Sequence, residues 1–483
     1  MPTPTDPLLA CLLLLYLACG SPETPGPTED APARPPNVVY ILVDDLGYGD
    51  LSSYGQRRFT TPNIDRLAER GIRFTQHYAG STVCAPSRAS LMTGLHTGHT
   101  PIRGNKEVQP EGQWPIPDSI RTLAELMAEA GYATGAFGKW GLGYPGSEGA
   151  PGRQGFGEFY GYNCQRLAHN YYPYYLREDQ QRDSLPGNAG TGTATFAPTR
   201  IHERALAFIE RHRDRPFFLF YPNVMPHAEL AAPDSLVTHF AEQFGPEEAW
   251  QGRDSGPGYK DGAYGSVARP HATFAAMVSL IDQQVGEIVD KLDDLGLTEN
   301  TLVIFTSDNG PHVEGGADPD FFLSNGPFRG YKRDLYEGGI RVPMIASWPG
   351  TVPQGRTSDH ISAFWDVYPT LAELTGQPVD KNLDGISFLP VLEGRPAEQR
   401  QHGHLYWEFH ERGGRVAVRE GRWKGVRYGV LEDPAAALEL YDLQTDPGEQ
   451  HDLAGQHPAV VARLDSLIRV SHSESSVFPF VAR

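Results

Sequence analysis

One short stretch, Ser81–Gly98, combines a thiol, a cation and the start of a predicted helix. Cys84 is followed by Pro86, Ser87 and Arg88, and small residues then lead into a pattern typical of a buried helix. The first turn of a helix presents free N–H groups and the positive end of its dipole, so anions bind well there. The stretch therefore predicts either a reactive, anion-binding site or a buried structural cysteine, which is the commoner role of a lone cysteine.

Oxygen-bearing side chains follow two apolar, β-branched runs that predict strands buried on both faces. They are Asp44 and Asp45 after residues 37–43, and Asp308 and Asn309 after residues 301–306. Ligands bind at the carboxyl ends of strands in open α/β sheets, and four oxygen donors on one rim suit a hard cation. We expect Ca²⁺ at this rim, with Mg²⁺ as the alternative. Each pair taken alone also suits a plain turn.

Two lysines and a histidine are candidates to act on a bound anion. Lys139 comes directly after a predicted strand, and His227 follows a proline just beyond another. Lys332 lies in the glycine-rich segment G-Y-K-R-D-L-Y-E-G-G-I-R. Taken singly, Lys139 suits a solvated surface position, His227 suits a turn, and Lys332 suits an ion pair with Glu337.

An α/β frame must position these groups. Apolar runs that predict strands alternate with amphipathic segments that predict helices. The strands are residues 37–43, 72–78, 132–138, 217–221, 301–306 and 342–348, and the helices are residues 61–71, 120–130, 201–213, 272–295 and 364–376. We predict a large mixed, mostly parallel sheet sandwiched by helices, with the strand ends on one rim.

The texture of the sequence changes after Gly385. Short strands alternate with turns there, and a helix over residues 459–470 follows. This pattern predicts a smaller C-terminal antiparallel sheet with a packed helix. The predicted catalytic domain therefore spans residues 37–385, and a C-terminal subdomain spans residues 386–483.

Composition limits the classes of partner. The chain has 483 residues, of which 39% are apolar and 21% charged, as in an ordinary globular protein. Its formal net charge of −19 argues against nucleic acid or an anionic membrane as a general partner, since both need a basic surface. The four cysteines are Cys11, Cys19, Cys84 and Cys164. A Cys84–Cys164 disulfide and two free thiols are both open.

The first 36 residues have the pattern of an export signal and a tether. Leu8–Ala18 is apolar but too short to span a bilayer. It ends in L-A-C-G, which resembles the cleavage site of bacterial lipoproteins with Cys19 as the lipidated residue. We predict a signal peptide over residues 1–19 and a Pro-rich linker over residues 20–36. The protein is then exported from a bacterium, periplasmic or anchored to the outer membrane, and it meets the membrane only through that lipid.

Six motifs in a fixed order resemble those of the type I, formylglycine-dependent sulfatases of the alkaline phosphatase superfamily. They are D-D at 44–45, C-A-P-S-R at 84–88, G-K-W at 138–140, P-H at 226–227, S-D-N-G at 307–310 and G-x-K-x-x-x-x-E-G-G-x-R at 330–341. The resemblance covers nearly the whole chain after Pro36. It implies an alkaline phosphatase-like fold, hydrolysis of sulfate esters, and a partner enzyme that matures Cys84 to formylglycine.

The resemblance also implies a role for each matched residue. Cys84, as the formylglycine hydrate, supplies the nucleophile, and Arg88 steadies it. Lys139 and Lys332 bind sulfate oxygens. His227 protonates the departing alkoxide. The implied metal ligands are Asp44, Asp45, Cys84, Asp308 and Asn309.

One position departs from the family pattern. Many members read G-K-W-H-L-G, where the histidine helps to orient the nucleophile, whereas this chain has Gly141 there. Either another histidine, such as His169 or His312, fills that role, or the site differs in its substrate. We interpret both histidines as substrate-binding residues. His312 follows the metal motif directly. His169 lies in the aromatic stretch 156–173, which predicts a loop that either walls a carbohydrate pocket or packs on the core.

These observations favour a sulfatase that acts on a sulfated saccharide. An alternative enzyme is a formylglycine-dependent phosphonate or phosphate-ester hydrolase, because such relatives share the motif and the metal site. A third interpretation, from another class, is a non-catalytic protein that binds sulfated glycans and lost turnover together with the histidine at position 141. A preference for sulfate over phosphate esters separates the first two interpretations. Binding of a sulfated glycan without release of sulfate would support the third.

Overall fold

The computed structural model describes residues 34–480, so the predicted signal peptide and most of the predicted linker lie outside the described residues. The described residues from Pro35 onward form one compact unit. The division of that unit at residue 385 stays a prediction. No helix among residues 34–480 is both long and apolar enough to cross a bilayer.

The strands within the described residues largely match the predicted ones. They are β1 (Asn37–Val43), β2 (Ile72–Tyr78), β3 (Ala133–Lys139), β4 (Glu158–Tyr162), β5 (Tyr175–Glu178), β6 (Gln181–Ser184), β7 (Phe217–Pro222), β8 (Thr301–Ser307), β9 (Arg341–Ser347), β10 (Arg356–Ser358), β11 (Ser362–Ala363), β12 (Leu405–Phe409), β13 (Arg415–Glu420), β14 (Trp423–Tyr428) and β15 (Glu439–Asp442).

Seven of the eleven α-helices within the described residues were also predicted, with shifted ends, whereas the helix Asp234–Phe244 and three helices of four residues each were not. The eleven are α1 (Pro62–Glu69), α2 (Cys84–Thr93), α3 (Leu123–Glu129), α4 (Ala197–Arg211), α5 (Asp234–Phe244), α6 (Pro270–Asp294), α7 (Pro319–Phe322), α8 (Glu337–Ile340), α9 (Val367–Leu374), α10 (Leu389–Leu392) and α11 (Pro458–Ser471). The shift at α3 has a clear cause. Thr122 caps this helix, because its hydroxyl accepts from Glu125 N–H while Glu125 accepts from the Thr122 N–H, so the helix begins after Thr122 rather than at Ile120.

β1 lies inside a large mixed sheet with the order β10-β2-β9-β8-β1-β7-β3-β4-β5-β6, and β11 also pairs with β2. β1 is parallel to both of its neighbours, β7 and β8, and β3 is parallel to β7 and β4. β9 runs antiparallel to β8 and β2. The predicted mixed, mostly parallel sheet is confirmed.

Apolar layers cover both faces of this sheet. Successive side chains of a strand point to opposite faces, so Ile41 packs in one apolar layer and Tyr40 in the other. Helices α1, α4 and α6 contribute to the first layer, and α2, α3 and α9 contribute to the second. With both faces buried, a central strand is apolar throughout its length, which is why the sequence predicted β1 and β8 so closely.

The C-terminal residues form a separate antiparallel sheet, β12-β13-β14-β15, as predicted. Leu464 and Ile468 of α11 pack against one face of it. On the other face Trp407 lies in an apolar cluster with residues of the main sheet, and its indole N–H donates to the carbonyl of Ala79 at 2.9 Å. The C-terminal sheet therefore contacts the segment that leads into Cys84.

One expectation was wrong, and one of two open alternatives is excluded. Residues 156–173 are not one loop, because β4 lies within them and pairs with β3. Gly161 of β4 hid this strand from a reading of the sequence, since glycine is rare inside strands. Cys84 and Cys164 are both free and buried, so the disulfide alternative is excluded for this structure.

Candidate active site

The ends of β1 and β8 bring polar side chains together at one edge of the main sheet. Because Val43 pairs with Ser307 in the parallel register, the residues that follow leave the sheet side by side. The Asp45 N–H donates to Asp308 Oδ1 at 3.1 Å, and Asp45 has a left-handed backbone with φ of 67°. All the side chains predicted to share this edge are buried there: Asp44, Asp45, Asp308 and Asn309.

Asn309 provides a test of whether these residues fit a metal ion. Its Nδ2 donates to Asp45 Oδ1 at 2.7 Å, whereas its Oδ1 is buried and accepts no hydrogen bond from the described residues. A buried amide oxygen without a partner is costly, and a cation satisfies it. One ligand atom each from Asp44, Asp45, Cys84 and His227 lie within 4.8 Å of one another. The carboxylate oxygens of Asp44 and Asp45 in this group, together with the amide oxygen of Asn309, suit a hard divalent cation.

Three carboxylates, those of Asp44, Asp45 and Asp308, are buried close together at this edge, and this arrangement also favours a bound cation. Burial and the neighbouring Asp44 raise the pKa of Asp308. They do so although Arg88 donates to Asp308 Oδ2 from Nε at 3.0 Å and from Nη2 at 2.8 Å. Arg88 is itself fully buried and also donates to the carbonyl of Lys139. A divalent cation would relieve the repulsion among these acids.

Cys84 opens α2 directly above this edge. Its Sγ lies 3.3 Å from Asp44 Oδ1 and 3.4 Å from Lys139 Nζ, and the residue is 2% exposed. Burial and the Asp44 carboxylate raise the pKa of the thiol. The thiolate is the reactive form of cysteine, so the unmodified side chain is a poor nucleophile near neutral pH.

The two predicted lysines face the same carboxylates. Lys139 Nζ lies 2.6 Å from Asp44 Oδ2, and Lys332 Nζ lies 2.7 Å from Asp45 Oδ2. Burial alone would lower the pKa of both ammonium groups, but these carboxylates raise it above the ordinary value. Both lysines therefore stay charged, although they are buried. Lys332 Nζ also lies 2.9 Å from His227 Nε2.

His227 is the middle ring of three stacked imidazoles. Its centroid lies 4.8 Å from that of His169 and 5.4 Å from that of His312, with nearly parallel planes. Burial and Lys332 lower the pKa of His227 well below its usual range. His312 is fully buried, and its nitrogens already contact the carbonyl of Pro226 and the N–H of Glu314. This geometry favours a positioning role for His312 over direct contact with substrate.

A small pocket of about 90 Å³ opens onto these groups. Five of the predicted residues line it: Cys84, Lys139, His169, His227 and Lys332. Four larger cavities have volumes of about 510, 550, 210 and 350 Å³. None of these four is lined by a residue with a predicted catalytic or metal-binding role, so the predicted chemistry belongs to the smaller pocket.

The sequence analysis missed the other residues that line this pocket. They are Asn105, Glu107, Gln113, Gln165, Arg166, Tyr264 and Arg333. These side chains come from several connecting segments that only the fold brings together, and none lies in a strand-end motif. Arg333 follows Lys332 directly and Gln165 lies in the aromatic stretch 156–173, which were the two signals available.

Two family models match the chain. The model described as "Sulfatase" matches residues 36–377, and the model described as "N-sulphoglucosamine sulphohydrolase, C-terminal" matches residues 328–471. Together they extend over both sheets. The six motifs and all the residues of the pocket lie within the first match.

Individual proteins resemble this chain along most of their length. Human arylsulfatase A is 35% identical, over 94% of this chain and 89% of its own. An N-acetylgalactosamine-6-O-sulfatase of Bacteroides thetaiotaomicron is 29% identical, over 90% of this chain and 93% of its own. The crystal structure of Ps i-CgsB in complex with k-i-k-neocarrahexaose is 27% identical with a TM-score of 0.75, over 91% of this chain and 93% of its own.

Proposed function

This chain belongs to the sulfatase family and is a sulfuric ester hydrolase, and we propose that its substrates are sulfated carbohydrates. Two features support the carbohydrate. Several relatives are named as N-acetylgalactosamine-6-sulfatases, and a similar solved structure holds a neocarrahexaose. The pocket beside Cys84 also combines polar side chains with Tyr264, which suits the hydroxyls and the faces of a sugar.

The observation that carries this proposal is the position of Cys84. Its Sγ lies within 3.5 Å of an acidic group of the sheet edge, Asp44, and of a charged ammonium, Lys139. The same small pocket exposes His227 and Lys332. A nucleophile at position 84 is thus surrounded by the cations and the proton carrier that transfer of a sulfuryl group needs.

We propose that the acidic edge holds Ca²⁺, with Mg²⁺ as the alternative. The residues that would hold it are Asp44, Asp45, Asp308 and Asn309, together with the side chain at position 84. When bound, such a cation polarises the sulfate group and favours ionisation of a hydroxyl at position 84. The buried Asn309 Oδ1, which accepts no hydrogen bond from residues 34–480, supports this assignment.

We also propose that a separate maturation enzyme converts Cys84 to formylglycine. The hydrate of this aldehyde supplies an oxygen nucleophile, and its second hydroxyl allows sulfate to leave again as the aldehyde returns. The raised pKa of the Cys84 thiol supports the need for such a change.

The chain's own residues then bind the sulfate and handle a proton. Lys139 and Lys332 present ammonium groups to sulfate oxygens at position 84. Arg88 does not line the pocket but holds Asp308, so it positions the metal edge rather than touching the substrate. Lys332 Nζ donates a hydrogen bond to His227 Nε2 over 2.9 Å, and we assign delivery of a proton to the leaving oxygen to this pair.

We propose export as the location of this activity. The predicted signal peptide, the lipidated Cys19 and the linker lie in or next to residues 1–33, outside the described residues. Similar sulfatases occur in Bacteroides thetaiotaomicron, which is consistent with a bacterial exported enzyme.

The test is release of free sulfate from a panel of sulfated mono- and disaccharides. The full chain is co-produced with a maturation enzyme and assayed with Ca²⁺ beside matched phosphate monoesters and phosphonates. Release of sulfate from one class of sugar, lost in Cys84→Ala, is the expected result. Faster turnover of the phosphorus esters would contradict the sulfated substrate, and no turnover by protein with confirmed formylglycine would contradict the carbohydrate class tested.

A further inference from the structure

The side chain of Gln165 places a buried amide donor beside Cys84. It lines the pocket of Cys84, and the residue is only 5% exposed. Its Nε2 is buried and makes no hydrogen bond to any residue that the structure describes. Its backbone N–H, in contrast, donates to Gln113 Oε1 at 2.9 Å, which fixes the residue in place. A buried amide donor without an acceptor is costly, so it marks a position where a ligand can supply one.

Gly141 explains why Gln165 can reach this position. A Cβ at Gly141 would lie 2.5 Å from Gln165 Nε2 and 2.8 Å from its Cγ. The amide therefore occupies the space that any side chain at position 141 would take. Gly141 also has a left-handed backbone with φ of 80°, which other residues rarely adopt. His169 and His312 do not occupy this space, since both stack on His227, and their roles toward the nucleophile or the substrate stay predictions.

The backbone ties this amide to the sulfate-binding side of the pocket. Gly141 follows Lys139 in the chain after a single residue, and its N–H lies 3.3 Å from the carbonyl of Asn163. Lys139 Nζ in turn lies 3.4 Å from Cys84 Sγ. Gln165 thus stands beside the segment that presents Lys139, where an acceptor on the substrate would arrive.

We propose that the Gln165 carboxamide donates a hydrogen bond to a sulfate oxygen of the substrate held at Cys84. This inference rests on the proposed function and adds a substrate-contacting residue to it. The donor is neutral, so it acts at every pH at which the fold is stable, unlike an imidazole in the same space. It also adds no charge to a pocket that already has two ammonium groups.

Three variants test the hydrogen bond with binding and turnover as separate readouts. Gln165→Met keeps the volume and removes the donor, and Gln165→Glu keeps the shape and replaces the donor with a carboxylate. Gln399→Met is the matched control, because Gln399 is a buried amide outside the pocket whose Nε2 bonds to the carbonyls of Ser387 and Arg400. Inorganic sulfate binding is measured by calorimetry in the presence of Ca²⁺, and thermal unfolding reports the fold.

We expect Gln165→Met to weaken sulfate binding and to lower kcat/KM by about 10- to 100-fold, the loss of one hydrogen bond to a charged group. Gln165→Glu loses more at pH 8, because its carboxylate repels sulfate, and it recovers towards pH 5 as the carboxyl group becomes a protonated donor. The ratio of sulfate binding by Gln165→Met to that by the wild type should stay constant between pH 8 and pH 5. Gln399→Met binds sulfate as the wild type does.

Several outcomes would overturn the inference. Unchanged sulfate binding in Gln165→Met is one, and a pH-independent loss in Gln165→Glu that follows a lowered melting temperature is another. If the wild type hydrolyses no sulfate ester, the proposed function fails, and sulfate binding alone then decides the role of Gln165. Absence of sulfate binding by the wild type would also overturn it.

Discussion

The ammonium nitrogen of Lys332 lies 2.9 Å from Nε2 of His227. An ammonium group can only donate, so Nε2 accepts and the imidazole carries its proton on Nδ1, next to the carbonyl of Ala228. The transferable proton therefore rests on Lys332 in this arrangement. Transfer of a proton to the leaving oxygen requires His227 Nε2 or Lys332 Nζ to exchange this hydrogen bond for one with the substrate, so the two residues act as one unit.

This unit predicts a dependence on the leaving group. In His227→Ala, kcat for a sugar sulfate should fall by about 10²- to 10⁴-fold, the usual contribution of a general acid. A nitrophenyl sulfate should lose less than about tenfold, because a nitrophenolate leaves without a proton. The measurement is kcat for both substrates in the matured enzyme. Equal losses on the two esters would mean that His227 does not deliver the proton.

Calcium should stabilise the folded chain through the edge that holds Asn309. An ion that binds only the native state adds about 2.7 kcal/mol when its concentration is 100 times its Kd. We expect Ca²⁺ to raise the melting temperature of the wild type and to raise that of Asn309→Ala much less. Asn188→Ala is the control, since Asn188 is a buried amide that donates to the carbonyls of Pro173 and Thr195 elsewhere. An equal calcium shift in all three proteins would exclude Asn309 as a ligand.

Asp50 should make stability fall as pH rises. Burial raises the pKa of Asp50 to about 7 in the fold, against an ordinary value of 3.8. Between these two values the native chain keeps a proton that the unfolded chain releases, so the free energy of unfolding decreases from about pH 4 to about pH 7. The loss is at most roughly 4 kcal/mol.

Asp50→Asn isolates this contribution from that of other groups. Asparagine keeps an oxygen to accept from the Gly47 N–H, which Asp50 Oδ2 accepts at 2.8 Å, and it does not titrate. Urea unfolding of both proteins from pH 4 to pH 8 should give curves that diverge, with the wild type losing stability relative to the variant. Parallel curves would mean that Asp50 is ionised throughout.

Lys424 should be the most sensitive position between the two sheets. It is fully buried, and its Nζ lies 2.9 Å from Glu337 Oε1 and 2.9 Å from Glu449 Oε1. Lys424→Met leaves the buried Glu337 carboxylate without this cation and should cost about 3–5 kcal/mol. Glu449→Gln should cost far less, because burial already raises the pKa of Glu449 and favours its neutral form. Chemical unfolding of both variants gives these values, and similar losses in the two would contradict the argument.

The sheet and its catalytic edge could be predicted because their signals are local. A strand buried on both faces is apolar throughout, and Asp44 and Asp308 follow two such strands directly. A parallel register then brings those ends together whatever the rest of the chain does. The position of these residues at one edge of the sheet could therefore be predicted from two short segments of sequence.

Gln165 and β4 could not be predicted, because their signals depend on distant residues. The amide of Gln165 matters only because Gly141 leaves it space, and no motif relates the two positions. Gly161 reads as a loop residue, yet a Cβ there would lie 2.0 Å from the carbonyl of Gly138 on the neighbouring strand. Such close backbone contacts belong to pairs of strands and are invisible in either strand alone.

The burial of Cys84 also has a consequence for the proposed maturation, because it would fix an order of events during biosynthesis. In the folded chain its sulfur is enclosed by Asp44 and Lys139, and the preceding segment is held by Trp407 of the C-terminal sheet. An enzyme that modifies this thiol cannot bind it in the folded chain, where Cys84 is only 2% exposed. The maturation enzyme proposed above would therefore have to reach Cys84 before the polypeptide folds, while β12, which is synthesised after α2, is still absent. The length of chain after Cys84 would then set the time available for the proposed modification.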